Sequence, residues 1–361
     1  MVCRRLRVAA VNAVLYLAVT PGTYGRGHEP RKASASAVPR QVVALEGGRR
    51  LDFLRTFSSE SDLKVHDSFW RRVLDVIAGP PELHRLVRPY SITMDSHGRI
   101  LITDPGDLAV HVFDFANKKY SRMEKGRHGE PFRSPIGIAV DAEDNVYVAD
   151  SALGKIFVFD PRGKFRRYIG AISAKEGFFK RPTGIAIEKQ RGEIFVTDTL
   201  RDKIFVMDLE GHQLREFGGR GTGPGEFNFP TEVVLHSDEV YVVDAMNFRV
   251  QILDRQGRYR AQFGREGNSV GTIFRPKGLG VDSVGNIHVV DGLFETVQVF
   301  DRLGALLYYF GHTGEAASEF QLPSGLWIDC DDRIYVADSY NHRVQVFQFV
   351  NAQRAESGRP Q

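Results

Sequence analysis

An aspartate recurs along the sequence at a nearly constant spacing, a pattern that could hold a cation. The six residues are Asp104, Asp150, Asp198, Asp244, Asp291 and Asp338. Carboxylates gathered on one ring could bind a divalent metal or a cationic ligand. The alternative is that each one accepts backbone N–H bonds in the loop that follows it, as Asp commonly does. Because the residue recurs in every repeat, the pattern favours turn capping.

The other residue types used in catalysis show no recognisable arrangement. The histidines have no His-x-x-x-His spacing, which a common zinc motif requires. There is no Gly-x-Ser-x-Gly nucleophile elbow, and the glycine-rich segment 218–225 lacks the Gly-Lys-Ser/Thr ending of a phosphate-binding loop. We therefore predict that the protein is not an enzyme and has no cofactor, while a divalent metal stays open as the alternative.

One carboxylate breaks an internal pattern. The second residue after a recurring proline is small in five repeats, whereas the fourth repeat has Glu232 at that position. A buried carboxylate normally has a partner, and Lys277, one residue after the next proline, is the candidate. A structural ion pair and a ligand-binding pair are both open. The five small residues, which we attribute to crowding of the innermost strands, are Ser91, Gly137, Gly184, Gly278 and Gly325.

The elements that must position these residues are given by a repeat whose prolines lie 46 to 48 residues apart. Each proline is followed by short alternating segments rich in β-branched and aromatic residues, separated by Gly, Asp and Asn turns. This pattern predicts four antiparallel strands per repeat, which is one blade of a β-propeller. We therefore predict an all-β, six-bladed propeller over residues 49–350. The prolines are Pro89, Pro135, Pro182, Pro230, Pro276 and Pro323.

The sixth repeat has only three strands, and the beginning of the folded region can supply the fourth. Leu54–Phe57 is similar to the outer strand Leu214–Phe217 of the third repeat. We predict that this N-terminal strand closes the ring and so hides two strand edges. The insertion 58–88 contains apolar residues at helical spacing, which predicts one short helix packed on the propeller or docked on a partner. These residues are Phe69, Trp70, Val73, Leu74 and Ile77.

Residues 1–27 have the pattern of a signal peptide, with Arg4, Arg5 and Arg7 before a short apolar run. An uncleaved membrane anchor is the alternative. Residues 28–48 predict a flexible linker and 351–361 a disordered tail. Residues 1–27 contain four arginines, including Arg26, and no acid, so the rest of the chain has a net charge of 3 − 4 = −1. We predict a periplasmic or secreted protein and disfavour nucleic acid as a partner.

The loops between the second and third strands of the last three repeats are predicted to form an apolar surface on one face. The corresponding loops of the first two repeats have mostly small residues, so this surface would be uneven and suited to a partner. The alternative is that the side chains fold down over the blades. Arg88, Arg181 and Arg275, each directly before a blade proline, and the nearby Arg133 could form a basic ring at one face, which is the feature that suggests nucleic-acid binding. The apolar set is Met246, Phe248, Leu293, Phe294, Tyr340 and His342.

Two segments, Asp338–Phe347 and Asp244–Leu253, resemble the NHL repeat, as does the loop 221–227. The resemblance extends over residues 50 to 350 and implies a six-bladed propeller. Propellers of this kind include sensor domains of bacterial receptor kinases, RNA-binding modules of ubiquitin ligases and a zinc lyase. That lyase has metal-binding histidines directly after the blade prolines. This sequence has none there, but Tyr90, Ile136, Thr183, Thr231, Lys277 and Ser324.

We predict a non-catalytic binding, scaffold or sensor propeller of the cell envelope. Its loop face would bind an envelope or extracellular protein, or a small ligand. The alternative is a metal-dependent hydrolase or lyase with its site at the mouth of the central channel. The candidate binding residues are Glu232, Lys277, Met246, Phe248, Phe294 and Tyr340.

Overall fold

The computed structural model describes residues 42–44, 50–63, 83–172 and 177–350. The predicted signal peptide, the helix predicted within 58–88 and the predicted tail lie outside these residues. Within the described part, no helix combines the length and the hydrophobicity needed to cross a membrane.

Six antiparallel sheets form the blades of a propeller, as predicted. In the first three blades the strands are β3 (Ile92–Met94), β4 (Ile100–Asp104), β5 (Ala109–Asp114), β6 (Lys119–Met123), β7 (Pro135–Val140), β8 (Val146–Asp150), β9 (Lys155–Phe159), β10 (Phe165–Ile169), β11 (Pro182–Glu188), β12 (Glu193–Asp198), β13 (Lys203–Asp208) and β14 (Gln213–Gly218). In the last three they are β15 (Pro230–His236), β16 (Glu239–Asp244), β17 (Arg249–Asp254), β18 (Tyr259–Phe263), β19 (Pro276–Val281), β20 (Ile287–Asp291), β21 (Thr296–Phe300), β22 (Leu306–Phe310), β23 (Leu326–Ile328), β24 (Arg333–Asp338) and β25 (Arg343–Val350). Short 3₁₀ turns occur at Glu60–Leu63, Arg127–Gly129 and Ala245–Asn247.

The first strand of each blade contacts the first strand of the next, and β23 contacts β3, so the ring is closed. The second and third strands are buried on both sides because neighbouring blades cover them. Leu101 and Val110 of blade 1, for example, pack in one cluster with Val148 and Phe157 of blade 2. The hydrophobic core therefore lies between blades, where each blade is stabilised by its neighbours.

The predicted closing strand is present as β2 (Arg50–Phe57), which pairs antiparallel with β25. The hydroxyl of Thr56 also donates to the carbonyl of Val344 at 3.2 Å. One further strand, β1 (Val42–Ala44), pairs with the outer edge of β2. It lies within the range 28–48 that the sequence assigns to a flexible linker. Val42 and Val43 are β-branched and favour a strand, and the outer edge of β2 would otherwise be unpaired. These two facts explain why this part of the predicted linker forms a strand.

The innermost strands approach each other so closely that a side chain does not fit at most positions two residues after the prolines. A Cβ atom at Gly137 would lie 2.2 Å from the carbonyl oxygen of Thr183. At Gly325 it would lie 2.1 Å from that of Tyr90. Both neighbours are backbone atoms of the next blade, so they cannot move aside locally. The crowding predicted from the small residues is confirmed.

Replacing Gly325 by alanine should therefore destabilise the contact between blades 6 and 1. We expect a loss of about 1–3 kcal/mol in the free energy of unfolding, which is typical of overpacking, measured by urea denaturation. A matched control is Gly223→Ala, whose Cβ would come no nearer than 3.0 Å to the side-chain carboxylate of Glu226. Equal shifts for the two variants would contradict the interpretation.

Candidate functional site

The six recurring aspartates are buried, and each accepts hydrogen bonds within its own blade. Asp104 accepts from the backbone N–H of Arg88 and from that of Gly106, both at 2.9 Å. It thus joins the segment that precedes β3 to the loop that follows β4. The predicted turn-capping role is confirmed. We call the face formed by these loops and segments the entry face, and it includes residues 87–89 and 104–108 and their equivalents in the other blades.

In blades 4 and 6 the capping aspartate also holds a buried or half-buried arginine. Arg343 donates from Nε to Asp338 at 2.7 Å, and its Nη2 donates to the carbonyl of Glu319 at 2.9 Å. Asn341 donates to the same carboxylate at 2.9 Å. Arg249 and Asp244 repeat the arrangement at 2.8 Å. Asn341 and Arg343 therefore stabilise their own blade.

The acids that follow the first strands cap turns on the opposite face. Asp141 accepts from the backbone N–H of Glu143 and Asn145 at 2.9 Å and from the hydroxyl of Tyr147 at 3.0 Å. In blade 5 a histidine replaces this tyrosine, and His288 Nε2 lies 3.2 Å from Asp282. Within the described ranges, no group of three or more His, Cys, Asp and Glu side chains is arranged to hold a metal ion.

Four cationic side chains lie within electrostatic range of one another or of Tyr90 on the entry face, and we call them the cationic collar. They are Arg88 of blade 1, Arg181 of blade 3, and Arg275 and Lys277 of blade 5. The arginines are fixed through their backbone, because Asp104, Asp198 and Asp291 accept their N–H groups. Their side chains are exposed. No collar side chain forms an ion pair or hydrogen bond with the described part of the chain.

The collar residues affect one another electrostatically. Burial, together with the positive charges of Arg275 and Arg88, lowers the pKa of Lys277 to about 8. Burial raises the pKa of Tyr90 to about 12, the charge of Glu232 raises it too, and Arg181 and Arg275 oppose the increase. These effects place Tyr90 within the field of the collar and near the Glu232 carboxyl. The fourth arginine named from the sequence, Arg133, lies instead within electrostatic range of Glu130.

Glu232 enters the channel from blade 4, opposite the Tyr90 blade. Its Oε1 accepts only the N–H of Val233, at 3.0 Å. A Cβ at Gly184 would lie 2.9 Å from this oxygen, so Glu232 fits only because the neighbouring blade has glycine there. Burial raises the pKa of the Glu232 carboxyl to about 8.

The ion pair considered between Glu232 and Lys277 is not formed. Lys277 extends towards the loop after β20, where a Cβ at Gly292 would lie 3.3 Å from Lys277 Cε. It therefore points to the entry face instead of across to blade 4. The two residues share the channel but not a contact.

The apolar residues predicted on the entry face are only partly exposed. Met246, Tyr340 and Leu293 are exposed, whereas Phe248 and Phe294 are half-buried. The Phe248 ring packs against Phe274 with a centroid distance of 5.6 Å. The exposed residues can form a surface for a partner, whereas the two phenylalanines fold down over the blades. Both alternatives that the sequence left open therefore occur.

The expected unevenness of this surface is partly wrong. Leu108 in blade 1 is 41% exposed and Leu200 in blade 3 is 47% exposed, so apolar surface also occurs outside the last three blades. His342 has a different role from the one proposed, since its Nδ1 is hydrogen-bonded to the carbonyl of Val87 and joins blade 6 to blade 1.

Comparison with known families agrees with the fold. The family described as NHL repeat matches residues 320–347, and the family described as 6-bladed beta-propeller matches residues 134–217 and 183–246. Together with the six blades, these matches identify the chain as a β-propeller of six blades. More particularly, it is an NHL-repeat propeller, as its repeats indicate.

No curated protein matches the chain in sequence. A gluconolactonase from Xanthomonas campestris is 15% identical, with a TM-score of 0.57 over 88% of this chain and 96% of that one. An auxiliary nutrient binding protein from Bacteroides ovatus is 14% identical, with a TM-score of 0.57 over 74% of this chain and 70% of that one. Virginiamycin B lyase from Staphylococcus aureus is 14% identical, with a TM-score of 0.52 over 73% of this chain and 96% of that one. At such identities the likeness shows the fold alone, and it extends to enzymes and binding proteins alike.

Proposed function

We propose that the protein is a binding protein that holds a small anionic ligand at the mouth of its central channel. The observation that carries this proposal is the cationic collar, whose four side chains have no acidic partner among the described residues. Like charges held together are unfavourable in the free protein, and an anion relieves this by charge-assisted hydrogen bonds. The collar thus favours an anion over a neutral or cationic ligand.

The position of the collar favours a small ligand. It lies where the innermost strands of the blades begin, close to the axis of the ring, and the chain outside residues 1–27 is slightly negative overall. A long polyanion would meet this unfavourable surface beyond the collar. Met246 and Tyr340, exposed on the same face, offer apolar contact for the organic part of a ligand.

The enzymatic alternative has no such observation in its favour. The six recurring aspartates are occupied in capping, and the likeness to a lactonase and a lyase concerns the fold. We also propose that the protein acts outside the cytoplasm, in the periplasm or secreted, because residues 1–27 have the pattern of a signal peptide.

The test is calorimetric titration of the full chain with citrate and with inorganic phosphate at pH 7. The Arg181→Ala/Arg275→Ala variant should bind at least about tenfold more weakly, because two charge-assisted contacts are lost. Arg258→Ala/Arg302→Ala removes the same charge from two exposed turns of the opposite face and should bind normally. Equal affinities in both variants, no binding by the natural protein, or tighter binding of a single-stranded RNA would overturn the proposal.

A further inference from the structure

Near the collar, two polar side chains from opposite blades have polar atoms without a partner among the described residues. The hydroxyl of Tyr90 forms no hydrogen bond with the described residues, and the Glu232 carboxyl accepts only its neighbour's N–H. The Thr231 hydroxyl beside them is buried and also lacks a partner. The Thr231 hydroxyl is the costly one, because it is buried. The Tyr90 and Glu232 groups are half-buried, so they can be reached by a ligand with polar atoms.

The depth of these groups can be derived from their place in the strands. The collar arginines lie one residue before the blade prolines, Tyr90 lies one residue after its proline, as the collar residue Lys277 does, and Glu232 lies two residues after its own. Tyr90 therefore starts at the depth of Lys277, and Glu232 is the deepest of these residues. Three residues of extended chain at about 3.3 Å each put Glu232 roughly 10 Å below the rim along the channel. A ligand whose charged group lies on the collar must therefore be several bonds long to reach the base.

The protonation states define what these groups can bind. Burial raises the pKa of Glu232 to about 8 and that of Tyr90 to about 12, so both hold their protons at neutral pH. A neutral carboxyl and a neutral phenol both donate hydrogen bonds. Neither group then cancels the positive charge of the collar above it.

We propose that Glu232 and Tyr90 form the base of the collar site and donate hydrogen bonds to oxygens at the far end of an elongated organic anion. The ligand class is a hydroxylated phosphate ester or carboxylate, whose charged group lies on the collar. This inference rests on the proposed function and adds to it the length and the chemistry of the ligand. It also makes binding depend on the proton of Glu232.

The pH dependence has two contributions with the same sign. As the pH rises through about 8, Glu232 becomes negative and Lys277 loses its positive charge, and both changes weaken anion binding. Binding is therefore strongest below pH 8 and declines above it. Tyr90 stays protonated in this interval, and the collar arginines Arg88, Arg181 and Arg275 remain charged.

The experiment compares a joined ligand with its separate parts. Glucose 6-phosphate, glucuronate, inorganic phosphate and glucose are titrated into the full chain at pH 6.5 and pH 9. We expect a joined ligand to bind at least tenfold tighter than phosphate or glucose, and to weaken at least tenfold at pH 9. Binding of only one joined ligand identifies the anionic group as phosphate or carboxylate and supports the proposal equally.

Two variants separate the two contributions to the pH dependence. Glu232→Gln keeps a neutral donor of the same shape and should lose part of the weakening at pH 9. Lys277→Arg keeps the positive charge and should lose the other part. Glu226→Gln, on the same face, removes an exposed carboxylate outside the channel and should behave as the natural protein. Unfolding curves of all variants confirm that each one folds.

If the joined ligands bind no tighter than phosphate, or if Glu232→Gln keeps the full pH dependence, the base of the site has no such role. The collar proposal stands in that case, provided that phosphate binding still requires Arg181 and Arg275. If none of the anions binds, both proposals fail.

Discussion

Replacing Asp244 by alanine is expected to lower the free energy of unfolding by about 3–5 kcal/mol, which is the usual cost of leaving a buried charge without its partner. The side chain of Arg249 is buried, and its Nε donates to Asp244 at 2.8 Å. The same carboxylate accepts the N–H of Asn228 at 2.7 Å and the side-chain amide of Gln251 at 3.2 Å. The Asp244 carboxylate therefore links strand β17, which contains Arg249 and Gln251, to Asn228 in the connection between blades 3 and 4. The single substitution removes all of these hydrogen bonds.

Urea denaturation measures the effect, and Asp301→Ala is the control. Asp301 accepts two exposed N–H groups, of Leu303 at 2.9 Å and Ala305 at 2.8 Å, so its loss should cost only about 1 kcal/mol. The double variant Asp244→Ala/Arg249→Met should recover stability, because it also removes the unpaired charge. A loss at Asp244 no larger than at Asp301 would show that the buried pair is not required.

Phe57→Ala should cost about 3–5 kcal/mol, as is typical when a buried phenylalanine is truncated. Phe57 is 1% exposed and belongs to β2, the strand that closes the ring. Its ring lies 5.0 Å from that of Phe113 and 5.1 Å from that of Phe115, both in blade 1. The substitution thus opens a cavity at the contact between the last blade and the first.

The matched control is Leu54→Ala on the same strand. Leu54 is 41% exposed, so its truncation should change the free energy of unfolding by about 0.5 kcal/mol or less. Limited proteolysis gives a second readout, since Phe57→Ala should expose the chain ends to cleavage first. Similar stabilities for the two variants would mean that the contact between blades 6 and 1 does not depend on this side chain.

Features that repeat in every blade could be predicted from the sequence. The proline spacing gave the blade number, and the aspartates and small residues were assigned correctly because every blade has the same turn and the same crowded centre. Pairing of Leu54–Phe57 with the last strand followed from an incomplete sixth repeat. The aspartates and the small residues could be assigned because the same local requirement recurs in every blade, whereas the closing strand followed from the one blade that lacked a strand.

Features that occur once were harder to predict, because they depend on the direction of single side chains. Glu232 and Lys277 are near each other in the pattern, yet Lys277 runs along its own loop at Gly292. Tyr90 approaches Glu232 from the opposite side of the ring, which no sequence spacing indicates. The exposure of Leu108 and Leu200 depends on loop conformation and was likewise missed.

The pairing of the first strand with the last has a consequence for the order of folding. Thr56 and Val344 are bonded across 288 residues of chain, a contact of very high sequence separation, and such contacts form late and slowly. During synthesis the early blades can pack on one another, but β2 stays unpaired until β25 has been synthesised. A polypeptide interrupted before Arg343 keeps an unpaired β2 edge, and such an edge favours association with other chains.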